Sequence, residues 1–199
     1  MNTLRQIKDI LGNRNPEPIE KEKSDFIHAA VLIPIFMESG GYKVLFTQRT
    51  NKVEHHKGQI SFPGGSIEEG DRSLLDTALR ESCEEIGLLR EDVEILGQID
   101  DTLTVASNFI VRPFVGHIPY PYPFKINPLE VAKIITVPIA IFFSKEAYRE
   151  RDPIDFVDPI YDGPIYEYED NIIWGATARI MENFIQIVGG NLDLPENRE

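Results

Sequence analysis

Apolar and polar positions recur with different periods along the chain, and each change of period marks an element. In "MNTLRQIKDILGNRN", Leu4, Ile7, Ile10 and Leu11 fall on one side of a short amphipathic helix. Polar, proline-broken "NRNPEPIEKEKSDF" (Asn13 to Phe26) reads as a connector to the body of the protein. The run "FIHAAVLIPIF" from Phe26 to Phe36 is almost wholly apolar, as in a strand covered on both faces. Gly40-Gly41 then turns the chain into "YKVLFTQRT", the antiparallel partner in a hairpin. A polar loop from Asn51 to Lys57 separates this hairpin from a helix predicted over Arg72 to Ile86.

Further strands are expected near Val93 to Asp100, Ile110 to Ile118 and Val131 to Val137. Pro138 suits the first turn of a short helix through Phe143. "PYPYPF" (Pro119 to Phe124) fits neither a regular helix nor a central strand, and reads as a rigid surface turn or a ligand rim. The stretch Tyr148 to Asp170 is acidic and aromatic, with scattered prolines. A closing helix follows over Trp174 to Val188, with Ala178, Met181, Phe184, Ile185 and Val188 at helical spacing. The fold class is mixed α/β, without the regular alternation of a doubly wound sheet.

Composition narrows this picture only a little. The 199 residues suit one domain with a modest extension, divided here as helix and connector 1–25, main domain 26–190 and tail 191–199. An apolar fraction of 42% can fill a real core. No apolar run approaches the roughly 20 residues of a membrane span, and the N-terminal stretch has no secretory-signal pattern. The lone cysteine, Cys83, excludes an internal disulfide, fits a reducing cytoplasm and is expected to be a buried structural thiol. A net charge of -13 argues against nucleic-acid binding. It leaves room for a small anion held through divalent cations.

The segment "FPGGSIEEGDRSLLDTALRESCEEIGL" (Phe62 to Leu88) changes the picture most. At 3.6 residues per turn, Glu81, Glu84 and Glu85 share an arc of roughly 100°, with Leu75, Leu79 and Ile86 opposite. Like charges at this spacing repel, and Arg80 is the basic residue closest to them on the helix. A hard cation such as Mg²⁺ would relieve the repulsion, whereas a solvated acidic face would leave it to water. Gly64 and Gly65 allow a tight loop over the helix start, able to bring Asp71 or Glu69 nearby. That loop favours the metal site.

Gly65, Asp71, Arg80, Glu81, Glu84, Glu85, Gly87 and Leu88 together resemble the signature of the Nudix hydrolases. Between Asp71 and Arg80 stand eight residues, one more than the commonest spacing, and Asp71 stands where Glu is usual. Both features, with "TALRE" and "EEIGL", resemble the coenzyme A pyrophosphatase subgroup. Upstream, "LFTQRTNKVEHHKGQISFPGG" (Leu45 to Gly65) is similar to that subgroup's coenzyme A signature at Leu45, Thr47, Arg49, Gly58, Phe62, Pro63, Gly64 and Gly65. Glu54 stands where the signature has a second arginine, exchanging attraction for repulsion toward a phosphate. Lys52, His55, His56 or Lys57 could restore the positive charge. "GQIDDTLT", "VRPFVGHI", "NPLEVAKIITVPI" and "WGATARI" extend the likeness as far as Val188.

The resemblance implies a Nudix-type α/β/α sandwich with a mixed central sheet, and Mg²⁺ or Mn²⁺ held by Glu81, Glu84 and Glu85. It implies Arg80 as an orienting ion-pair partner and a general base among Glu81, Glu85 and Glu130, for which a plain surface position is the other reading. Arg49, Lys52, His56, Gly64 and Gly65 are the expected substrate contacts. The expected reaction is metal-dependent hydrolysis of coenzyme A or acyl-coenzyme A to 3′,5′-ADP and 4′-phosphopantetheine or its acyl derivative. The alternatives are another nucleoside diphosphate derivative, such as ADP-ribose, or a non-hydrolytic binding module. A cytoplasmic protein without membrane or nucleic-acid partners is expected, and a homodimer is left open.

Overall fold

The structure is a computed structural model describing residues 3–19, 26–50, 58–104, 107–144, 148–149 and 163–190. The expected contacts Lys52 and His56, together with Glu54, His55 and Lys57, lie outside the described residues. In chain order the elements are α1 (Thr3–Gly12), β1 (Ile27–Glu38), β2 (Gly41–Arg49), β3 (Ile60–Ser61), β4 (Gly64–Ser66) and α2 (Leu74–Ile86). Then come β5 (Glu94–Gln98), β6 (Thr102–Thr104), β7 (Phe109–His117) and β8 (Val131–Pro138). The last are β9 (Tyr148–Arg149), β10 (Ile165–Tyr168), β11 (Asn171–Ile173) and α3 (Gly175–Gly189).

β1 is the spine of the main sheet, whose hydrogen-bonded order is β3-β2-β1-β7-β5. It runs antiparallel to β2 and β4 but parallel to β7, so the sheet is mixed, as expected. Its apolar run is explained by cover on both faces. Ala30, Leu32 and Phe36 pack with Ala78, Leu79 and Ile86 of α2, while Ala29, Ile33 and Ile35 pack toward α1 and α3. The result is an α/β/α sandwich. α1 belongs to this packing: Ile7 and Leu11 are buried in the larger core, and a Cβ on Gly97 of β5 would stand 2.6 Å from Leu11 Cβ. No helix among the described residues is long and apolar enough to cross a membrane.

Three local expectations are corrected. α2 begins at Leu74 rather than Arg72, because Ser73 caps it in an extended conformation and accepts the Asp76 amide. Cys83 is exposed rather than buried. The buried line of α2 runs through Ala78, Ser82 and Glu85, with the Ser82 hydroxyl donating to the Ala78 carbonyl at 2.7 Å, and it turns Cys83 outward. The stretch after β8 forms a 3₁₀ turn over Ile139–Phe143 that Pro138 precedes rather than enters. Ile7→Ala should cost about 2–5 kcal/mol through the cavity it leaves. Urea unfolding would register this as a lower midpoint with an unchanged slope, whereas an unchanged midpoint would mean that α1 adds nothing to the core.

Candidate active site

Arg80 organises the carboxylate face. Its Nε and Nη2 donate to the two oxygens of Asp71, each at 3.0 Å, and Nη2 also reaches the Ser66 carbonyl at 3.1 Å. Nη1 faces the other way, donating to Glu81 Oε1 at 2.9 Å and Glu84 Oε2 at 3.1 Å. Asp71 also accepts from the Thr77 hydroxyl and sits almost wholly out of water. The Arg80 guanidinium beside it holds its carboxyl well below the usual carboxylate range. Arg80 is thereby fixed as a planar fork between the loop before α2 and the acidic side of α2.

The three glutamates differ in burial. Glu84 is half exposed, Glu81 is mostly covered, and Glu85 is 2% exposed. Burial pushes Glu85 up to about 8, outweighing the opposing pull of Arg49, whose Nη1 lies 3.9 Å from Glu85 Oε1. Burial also raises Glu81, against the hydrogen bond from Arg80. Among the described residues, two buried atoms here have no hydrogen-bond partner, Glu85 Oε2 and Arg49 Nε. An orphaned acceptor beside an orphaned donor suits a site that takes a cation and an anion together.

The backbone around α2 explains the glycines. Gly64 has φ of +155°, and a Cβ there would meet the Ala30 carbonyl at 2.3 Å. A Cβ on Gly65 would press on Glu81 Oε1 at 2.5 Å. After α2, the loop from Pro119 folds back over the helix end, where the Lys125 and Asn127 amides donate to the carbonyls of Ile86 and Glu85. This docking carries Glu130 toward the face, held by Asn127 Nδ2 at 3.0 Å, and its charge acts on both Glu81 and Glu85. Thr50 fastens the same loop, its amide and hydroxyl donating to the Glu130 and Leu129 carbonyls.

Arg49, Gly64, Gly65, Arg80, Glu81, Glu84, Glu85 and Glu130 are therefore gathered in one region. Sequence reasoning missed Asn127, Thr50 and Thr77 as supports. "NPLEV" carried the one available signal, an Asn three residues before a candidate acid. As the side chains stand, no three acidic, His or Cys groups among the described residues form a metal-holding set, and Arg80 spans Glu81 and Glu84 instead. The donors still fit a hard cation: carboxylate oxygens on one helix face, one of them buried and unpaired. Glu81, Glu84 and Glu85 are the residues that could hold it.

A model of the NUDIX domain family matches residues 26–127. A relative from Photorhabdus laumondii, named as the uncharacterized Nudix hydrolase NudL, is 35% identical over 87% of this chain and 91% of its own length. The chain belongs to the Nudix hydrolases. A NudL from Yersinia pestis is 36% identical over 80% of this chain and 79% of its own. The solved structure of a MutT/nudix family protein from Enterococcus faecalis superposes with a TM-score of 0.55, covering 95% of this chain and 70% of that one. At 16% identity this last likeness speaks for the Nudix fold alone.

The two glycines give a contrasting pair of predictions. Gly64→Ala meets backbone and should cost at least about 1–3 kcal/mol in chemical unfolding. Gly65→Ala meets only the end of a flexible side chain, so its unfolding midpoint should stay close to the parent's while turnover falls. Equal destabilisation by the two would contradict this geometry.

Proposed function

We propose that this Nudix hydrolase cleaves the diphosphate bond of coenzyme A or an acyl-coenzyme A, releasing 3′,5′-ADP and 4′-phosphopantetheine or its acyl derivative. The observation that carries the reading is where the segment resembling the coenzyme A signature runs. Its Arg49 meets Glu85, and its Gly65 lies against Glu81, so the described ends of the signature border the carboxylate face.

In this reading Glu81, Glu84 and Glu85 hold Mg²⁺ or Mn²⁺. A cation held there would offset the charge of the diphosphate and make an attacking water easier to deprotonate. Arg49, whose Nε is buried without a partner among the described residues, takes a phosphate oxygen of the substrate. Arg80 keeps Glu81 and Glu84 at a fixed separation and does not touch substrate. Hydrolysis adds water across the P–O–P bridge. The proton of the attacking water falls to a carboxylate of this face, Glu81 or Glu85, with Glu130 the third candidate from the facing loop.

Glu54 favours a second reading, a nucleoside diphosphate derivative without the 3′-phosphate, such as ADP-ribose. Lys52 or His56 would have to offset it for coenzyme A. A substrate panel with Mg²⁺ and with Mn²⁺, its products identified by mass, decides between them. Release of 3′,5′-ADP and 4′-phosphopantetheine is expected, and turnover of ADP-ribose with coenzyme A untouched would overturn the first reading. Glu54→Arg should raise turnover of coenzyme A but not of dephospho-coenzyme A if the second reading holds. No turnover of any substrate would point to a binding module, against which the retained Glu81, Glu84 and Glu85 argue.

Arg80→Lys keeps the charge but loses the fork. Its activity should fall about 10–100-fold, with more cation needed for half-maximal rate. An unchanged cation requirement would mean that Arg80 does not position the carboxylates.

A further inference from the structure

A cleft lies on the face of the sheet away from α2. It has a volume of about 370 Å³ and is walled by Gln48, Gln59, Lys133, Asn171 and Trp174 among others, within the range of small-ligand sites. Its position follows from the pleat. Gln48 pairs with Lys133 across β2 and β8, and a register shift separates this rung from the next, Arg49 with Val131. The Arg49 rung faces α2, where Arg49 meets Glu85 and Val131 enters the α2 core. The Gln48 rung therefore faces the α3 side, so neighbouring residues of one strand serve the cleft and the carboxylate face.

The walls are anchored. Gln48 Nε2 donates to the Gly58 carbonyl at 3.1 Å, and Lys133 Nζ to Asn171 Oδ1 at 3.3 Å. Thr177 Oγ1 donates to the Ile60 carbonyl at 3.0 Å, holding the start of α3, and with it Trp174, against β3. The chemistry is that of a planar heterocycle site. Trp174 offers a large aromatic surface, and the side-chain amides offer both donors and acceptors. Lys133 and Asp170 leave the lining near neutrality, which suits an uncharged ring better than a phosphate.

We propose that this cleft binds the nucleobase of the substrate, with Trp174 as stacking platform and Gln48, Gln59 and Lys133 reading the ring edge. The proposal rests on the substrate being a nucleoside derivative and holds for either substrate reading above. The diphosphate then lies one residue along β2, toward the Arg49 rung.

Trp174 is the one tryptophan of the chain, which makes a direct test available. Its fluorescence is followed in EDTA while adenosine, 3′,5′-ADP, 4′-phosphopantetheine or inorganic diphosphate is added to the full chain. Adenosine and 3′,5′-ADP should quench it saturably, whereas the other two should not. Gln48→Ala and Lys133→Ala should each weaken the adenosine response about 10-fold, and Trp174→Ala should raise KM about 10–100-fold with far less effect on kcat. No response to adenosine, or one that Gln48→Ala and Lys133→Ala leave unchanged, overturns the proposal. Quenching by 4′-phosphopantetheine alone also overturns it, because the cleft would then hold the other half of the molecule. Since the titration is free of metal and turnover, the two readings fail separately. Adenosine binding without coenzyme A hydrolysis removes only the proposed substrate, and hydrolysis without adenosine binding removes only the cleft.

Discussion

The Arg80–Asp71 fork is the interaction on which the acidic face depends. Carboxylates on neighbouring turns of one helix repel, and α2 places Glu81, Glu84 and Glu85 together without a Lys among them. Arg80 answers the repulsion with one group anchored on its far side. Two hydrogen bonds to Asp71 and one to the Ser66 carbonyl fix the guanidinium plane, and Nη1 then holds Glu81 and Glu84 from a set position. Asp71 is itself held by Thr77 and the Glu68 amide. A chain of contacts thus runs from the buried side of α2 to its acidic edge.

A second constraint acts from above. The loop between β7 and β8 spends two of its amides on the last carbonyls of α2, groups that a helix end otherwise leaves open. Gly87 allows the approach: it is left-handed, with φ of +68°, and a Cβ there would stand 3.0 Å from Lys125 Cβ. The cap of the helix and the delivery of Glu130 are consequently one arrangement. The glycine that closes the signature is as much a contact surface as a turn.

Elements with a sustained period were legible in the sequence. The double-sided burial of β1 follows from an unbroken apolar run, and the clustering of Glu81, Glu84 and Glu85 follows from helical geometry alone. What could not be read was set by partners distant in sequence. β3, β4, β6 and β9 to β11 are two to four residues long, too short for any period, and exist because a neighbouring strand pairs them. Cys83 faces outward because Ser82, satisfied by the Ala78 carbonyl, takes the inner line in its place, a choice that hydropathy does not encode. The depth of Glu85 could not be foretold either. It depends on the cover brought by β4 and by the loop bearing Asn127.

The docking of α1 bears on the order in which the protein is made. Its helix is tied to the β5 end of the sheet by Lys8 to Glu94 and by Arg14 to Asp100, each pair 86 residues apart. At roughly 5–20 residues per second of synthesis, α1 waits roughly 4–17 s for these partners. A ten-residue helix is marginal on its own in water. Through that interval Ile7 and Leu11 lack the Leu96 and Ile99 side of their core, and it is the arrival of β5 that gives the helix a reason to persist.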